Sequence, residues 1–88
     1  MILVTFAGYM ENTEKLINAF VQALNIDKSV VKDDLKYQAI PEWDSIAHMV
    51  LISQIEEAFS ISLETDDVLD MSSFAKAKEI VAKHGIRF

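Results

Sequence analysis

The sequence contains no cysteine, one proline and only two glycines among its 88 residues. The absence of cysteine excludes a disulfide framework and a thiolate metal site, so we expect a reducing, cytoplasmic setting. Few residues would break a helix, and alternating β-branched runs are rare, so the sequence favours an all-α fold. With 51% hydrophobic residues the chain can bury one core, and a single domain is expected.

Basic residues are also scarce, with 8 Lys and Arg against 14 Asp and Glu and a formal net charge of −6. An acidic surface repels phosphate backbones, so nucleic acid is not an expected partner, whereas basic patches on other proteins are. The apolar start MILVTFAGY has no basic residue and is too short to span a bilayer, so neither a membrane span nor a signal peptide is predicted. We interpret residues 1–9 as an apolar N-terminal extension whose role is open.

Apolar residues at helical spacing predict three longer helices and one short one. The candidate N-caps, in chain order, are Asn12 or Thr13, Asp44, Thr65 or Asp66, and Ser72 or Ser73. We expect the second helix to end at Phe59 or Ser60, and the short third helix to end at Leu69. The last helix is expected to end at Gly85, which can adopt the left-handed conformation of a helix C-terminus.

Residues 25–43, between the first two helices, are predicted to form a long loop that ends at Pro41 and the start of the second helix. Loops longer than about 12 to 15 residues are uncommon in compact domains unless they are functional. We therefore expect the loop to be held by its own hydrophobic residues: Ile26, Val30, Val31, Leu35 and Ile40.

The second helix has a predicted core face and an outer side whose two halves differ. The core face, with His48 at its edge, consists of Ala47, Leu51, Ile52, Ile55, Ala58 and Phe59. On the opposite side the C-terminal half is polar and includes Glu56 and Glu57, whereas the N-terminal half carries three apolar residues beside Ser45. These three residues are Ile46, Met49 and Val50. Either they form a small docking surface for a partner, or the long loop folds back and covers them.

Asp44 and Ser45 admit a simple interpretation, in which Asp44 caps the second helix and Ser45 is a first-turn residue. A nucleophilic serine would need a general base, and His48 is more typical of a packed side chain than of a base. No Gly-x-Ser-x-Gly turn is present. A serine that another enzyme modifies needs only exposure at the end of a rigid element, which suits this position better.

No metal site is predicted. The clustered acids Glu64, Asp66, Asp67 and Asp70 lack the spacing and the central glycine of a calcium-binding loop. Acidic residues are favoured near the start of a helix, because the helix dipole stabilises negative charge there. We therefore interpret these residues as belonging to the beginning of the short helix.

The segment DSIAHMVLISQIEEAF, following a first helix and a long loop, resembles the acyl carrier proteins and their peptidyl carrier relatives. The resemblance covers about residues 10–85, which would form the carrier domain and leave residues 86–88 as a tail. It implies a four-helix bundle of acyl-carrier type. It also implies that a phosphopantetheinyl transferase attaches 4′-phosphopantetheine from coenzyme A to Ser45. Such a carrier is not an enzyme; the arm's thiol holds acyl or aminoacyl groups as thioesters.

The resemblance also implies roles for the residues around Ser45. Asp44 would cap the helix and help to orient the modifying enzyme. Loading and transferring enzymes would contact the second helix of a monomeric carrier through Ile46, Met49, Val50, Glu56 and Glu57. Many family members have glycine where this chain has Trp43, which favours a specialised biosynthetic pathway over housekeeping fatty acid synthesis. An acid often stands where this chain has Val50, and its absence implies a narrower and more apolar set of partners. The alternative is a helical interaction module that uses Ile46, Met49 and Val50 while Ser45 stays unmodified.

Overall fold

The fold is all-α, as the composition predicted. In the computed structural model, which describes the backbone of residues 2–88 and the side chains of residues 11–88, four α-helices follow one another along the chain. They are α1 (Ile2–Leu24), α2 (Ser45–Phe59), α3 (Thr65–Asp70) and α4 (Phe74–Lys83), with one 3₁₀ turn at Lys28–Val30. Residues 2–88 contain no β-strand, only an isolated bridge between Lys36 and Ser73. None of the helices in this part of the chain has the length and apolar character that crossing a membrane requires.

α1 is longer than predicted. It begins at Ile2, so Asn12 and Thr13 lie inside the helix and the prediction that either is its N-cap was wrong. No proline interrupts positions 2–11, and a single glycine costs only about 1 kcal/mol, which does not stop an established helix from extending. The proposed boundary between residues 9 and 10 depends on side chains outside the described residues and stays a prediction.

The other helices begin close to the predicted positions. Asp44 is the N-cap of α2, as predicted, and Ser73 is the N-cap of α4. The N-cap of α3 is Glu64, one residue before the predicted position. α4 is followed by Gly85, whose φ of 91° is in the left-handed region that glycine tolerates.

The core is apolar and is centred on Phe20 of α1. The ring of Phe20 makes edge-to-face contacts with Trp43 of the loop, at 5.3 Å between centroids, and with Phe74 of α4, at 5.1 Å. The largest side chains that are fully buried are Trp43, Phe20, Leu16, Leu51, Ile55, Met71, Ile80 and Val81. No buried side-chain nitrogen or oxygen of residues 11–88 lacks a hydrogen-bond partner.

The long loop is anchored to the bundle at several points. Val31 and Leu35 are buried as expected, whereas Val30 is 37% exposed and anchors nothing. Backbone hydrogen bonds then join the loop to the segment between α3 and α4 and to the first residue of α4. Tyr37 N donates to Ser72 O, and Phe74 N donates to Leu35 O, both at 2.9 Å. These contacts hold the loop so that Trp43 lies in the core, and they fix where α2 begins.

Candidate functional site

Ser45 is the first residue of α2 and is exposed to solvent. The preceding residue, Asp44, accepts a hydrogen bond at its Oδ1 from Ala47 N at 2.8 Å and so caps the helix. Because Trp43 is completely buried one residue further back, the backbone on this side of Ser45 is held firmly. A rigid frame thus presents the Ser45 hydroxyl at the positive end of the helix dipole, where an attached anion is favoured.

An apolar cleft of about 320 Å³ lies beside Ser45. We call it the α2–α3 cleft; it is lined by Tyr37, Ser45, His48, Met49, Val68, Leu69, Met71 and Ser72. Most of the lining is hydrocarbon, and its polar side chains are Tyr37, Ser45, His48 and Ser72. An apolar group attached near Ser45 could lie against this hydrocarbon.

The three apolar residues of the outer α2 surface are not covered by the loop. Ile46 is 77% exposed, Met49 59% and Val50 44%, so the alternative in which the loop folds over them was wrong. Leu69 of α3 is 75% exposed, and it lines the α2–α3 cleft together with Met49. We call these four residues the apolar patch. Leu69 was missed from the sequence because only the fold brings α3 beside α2.

The two glutamates of α2 are not equivalent. Glu57 is exposed, whereas Glu56 is partly buried and its Oε2 accepts a hydrogen bond from Leu63 N at 2.9 Å. The Glu56 side chain therefore ties the segment after α2 to the helix itself. Of the two, Glu57 is the one whose carboxylate is available to a partner.

His48 is engaged at both ring nitrogens. Trp43 Nε1 donates to His48 Nδ1 at 2.9 Å, and His48 Nε2 lies 2.9 Å from the carbonyl oxygen of Val68. An indole N–H can only donate and a carbonyl can only accept, so the imidazole is neutral with its proton on Nε2. Both nitrogens are thus occupied, which leaves no free lone pair to accept a proton from Ser45.

Asp67 is the only buried charged residue among those described, at 4% exposure. Its Oδ1 accepts from Lys83 Nζ at 2.7 Å, and its Oδ2 accepts from His84 Nε2 at 3.0 Å and from Glu64 N at 3.2 Å. The hydrogen bond from Lys83, followed by that from His84, lowers the pKa of Asp67 to about 2, and the same contact with Asp67 raises the pKa of Lys83. We call Asp67, Lys83 and His84 the Asp67 cluster.

The Asp67 cluster joins α3 to the end of α4 and accounts for one of the four acids that were predicted to lie at the start of α3. The other three, Glu64, Asp66 and Asp70, are exposed. For Asp70 the prediction was wrong, because Asp70 is the last residue of α3 and lies at the negative end of the helix dipole. Within residues 11–88 no group of His, Cys, Asp and Glu is arranged to hold a metal ion. The cluster was missed from the sequence because its members are 16 and 17 positions apart and share no local motif.

A second groove, of about 550 Å³, runs along the end of α4. Charged residues, including Lys78, Glu79 and Arg87, contribute to its lining, and none of the predicted site residues lies in it. The α2–α3 cleft is therefore the opening that is relevant to Ser45. No known family model matches the sequence, and no solved structure matches the chain at a significant level.

Proposed function

We propose that this chain is a non-catalytic carrier of the acyl or peptidyl type, in which Ser45 bears a 4′-phosphopantetheine arm. The observation that supports the proposal best is the position of Ser45: exposed, first in a capped helix, and on the edge of an apolar cleft. When attached, the arm supplies a thiol that holds acyl or aminoacyl groups as thioesters. The absence of cysteine from the chain agrees with a reactive sulfur that comes from outside.

The residues around Ser45 fit such a group. The start of α2 favours a phosphate, because its first backbone N–H groups have no partner inside the helix. Asp44 opposes this effect in part, because it carries a negative charge and already accepts a hydrogen bond from Ala47 N. The Ser45 oxygen would form the new bond to phosphorus, the nucleotide part of coenzyme A would leave, and the transferase would take the hydroxyl proton. The chain therefore has to supply only an accessible hydroxyl on a rigid frame.

The surface beside Ser45 fits a partner enzyme with an apolar contact and a basic rim. The apolar patch places exposed hydrocarbon next to the attachment point, and Glu57 and the net charge of −6 attract basic residues. Charge complementarity of this kind mainly increases the rate of encounter, and salt weakens it. The cargo is an acyl or aminoacyl group, and the partners are the enzymes that load and receive it.

The decisive experiment is modification by a promiscuous phosphopantetheinyl transferase with coenzyme A and magnesium, followed by intact-mass measurement. Ser72→Ala is a matched control, because Ser72 is also exposed and also lines the α2–α3 cleft. We expect the wild type and Ser72→Ala to gain the mass of one arm and Ser45→Ala to gain nothing. A folded wild-type protein that gains no mass would overturn the carrier proposal.

The second candidate is an interaction module that uses the apolar patch with Ser45 unmodified. It is favoured by one observation, the 77% exposure of Ile46, which a patch of this kind needs whether or not Ser45 is modified. Failure of modification combined with normal helicity by circular dichroism would support this module. Attachment of the arm to Ser45 would show that the interaction module is not the whole function.

A further inference from the structure

α3 buries little apolar surface and is held in the bundle largely by polar contacts. Of its six residues only the charged Asp67 is buried, and Val68 is partly buried against the hydrophobic core. A helix this short has almost no stability of its own in water, so its position depends on its tertiary contacts. Besides the packing of Val68, two groups of hydrogen bonds supply them: the Asp67 cluster ties α3 to α4, and His48 ties the carbonyl of Val68 to α2.

These two connections act on opposite neighbours of α3. Asp67 reaches α4 through its side chain, while the next residue, Val68, is held from α2 through its backbone oxygen. Val68 and Leu69 are also the α3 residues that line the α2–α3 cleft. If the His48 bond breaks while the Asp67 cluster stays intact, α3 keeps its connection to α4 and loses its hydrogen bond to α2.

We infer that His48 is a positioning residue that sets the width of the α2–α3 cleft. Its Nε2 proton holds the α3 wall of the cleft, and its Nδ1 is held in turn by Trp43, whose side chain is completely buried. Trp43 thus orients the ring so that Nε2 points at Val68 O. The ring of His48 also lies against that of Trp43, with 25° between their planes, which further limits rotation.

The consequence of this arrangement for a group attached at Ser45 rests on the proposed function. Cargo larger than the cleft of about 320 Å³ could enter only when α3 moves, and the hydrogen bond from His48 opposes that movement. This hydrogen bond joins two residues of the chain itself and needs no group on Ser45. The inference can therefore be tested on unmodified protein, separately from the carrier proposal.

Two substitutions separate the two bonds of His48. The amide nitrogen of glutamine can replace His Nε2 and still donate to Val68 O, whereas the amide oxygen of asparagine can replace Nδ1 and still accept from Trp43. The readout is amide hydrogen exchange at Val68 and Met71, whose N–H groups donate to Glu64 O and Asp67 O inside α3 at 3.1 Å. Amides of α1 between residues 16 and 20 report global unfolding and serve as the reference.

We expect His48→Asn to speed exchange of the α3 amides relative to the α1 reference by about fivefold, the equivalent of one ordinary hydrogen bond. His48→Gln should leave that ratio near the wild-type value. Equal acceleration in both variants would show that the ring acts through packing alone and would overturn the inference, as would no acceleration in either. If the asparagine variant does not fold, a nitrogen NMR spectrum of the wild-type protein shows which ring nitrogen of His48 carries the proton. The inference requires the proton on Nε2, and a proton on Nδ1 would overturn it.

Discussion

α3 and α4 follow one another along the chain but are held in the bundle by different kinds of contact. α4 buries Phe74, Ala77, Ile80 and Val81 in the shared core, whereas α3 buries only Asp67 and has Val68 partly buried against that core. Apolar burial depends on area and is shared among many neighbours, while a hydrogen bond depends on one donor and one acceptor. The position of α3 therefore depends more on a few specific bonds, and that of α4 more on the core.

This difference affects the candidate site because α3, which is less buried than α4, forms one wall of the cleft beside Ser45. Elements that move during binding are usually drawn from the least stable part of a protein. Ser45 itself lies on the rigid side, between the buried Trp43 and the core residues of α2. The candidate site thus combines a firmly held serine with a wall that is less deeply buried.

The largest loss of stability is expected from shortening a buried side chain of α4. Ile80 is 2% exposed, and Ile80→Ala should lower the free energy of unfolding by about 2–5 kcal/mol, measured by urea denaturation. Leu69→Ala on α3 is the matched control and should change stability by less than about 0.5 kcal/mol, because Leu69 is already in water. A similar loss in both variants would contradict the comparison between the two helices.

A smaller loss of stability is expected from Asp67→Asn, which keeps the shape of the side chain and removes its charge. Asp67 has its pKa lowered from 3.8 to about 2, which is equivalent to roughly 2 kcal/mol of stabilisation. Because Lys83 is 61% exposed, solvent screening reduces this stabilisation. We therefore expect Asp67→Asn to lower the free energy of unfolding by about 1–2 kcal/mol.

The pH dependence of this effect has a definite sign. A carboxylate whose pKa is lowered by folding stabilises the folded state above its unfolded pKa, so the contribution is complete above pH 4 and declines as the pH falls toward 2. The difference in stability between wild type and Asp67→Asn should shrink over the same interval. Asp66→Asn, an exposed neighbour on α3, is the control, and a difference that persists unchanged at pH 2 would show that the charge is not responsible.

The sequence predicted those features that local signals determine. The start of α2 followed from Asp44, because an N-cap binds a backbone N–H only three residues away. The exposure of Ile46 and Met49 was left open, since helical spacing places them on the outer side but does not show what else covers that side. The start of α1 was predicted wrongly because Asn12 is a good cap residue by type and was judged without knowledge of the preceding backbone.

The contacts of α3 could not have been predicted in this way. His48 and Val68 are 20 positions apart, and a backbone carbonyl leaves no mark in the sequence. Asp67 was indistinguishable by type from its acidic neighbours Asp66 and Asp70. Which of three acids is buried depends on how α3 packs against α4, and that is decided by the tertiary fold rather than by helical periodicity.

The smallest effect on stability is expected at the two glutamates of α2, which looked alike in the sequence and differ in the structure. Glu57→Lys should change the free energy of unfolding by less than about 0.5 kcal/mol, because Glu57 is exposed. Glu56→Lys should cost about 1–2 kcal/mol, because Leu63 N loses its acceptor.

If the proposed function is right, Glu57→Lys should nevertheless slow transfer from a basic partner enzyme, most clearly at low salt, while its helicity stays unchanged. Measuring the rate for Glu57→Lys alone avoids the structural change that Glu56→Lys introduces, so a slower rate can be assigned to charge. Equal rates for Glu57→Lys and wild type at low salt would remove Glu57 from the docking surface, and partner contact would then depend on the apolar patch. Since Glu56 serves the fold, the carrier proposal makes Glu57 the residue of α2 on which electrostatic recognition would depend.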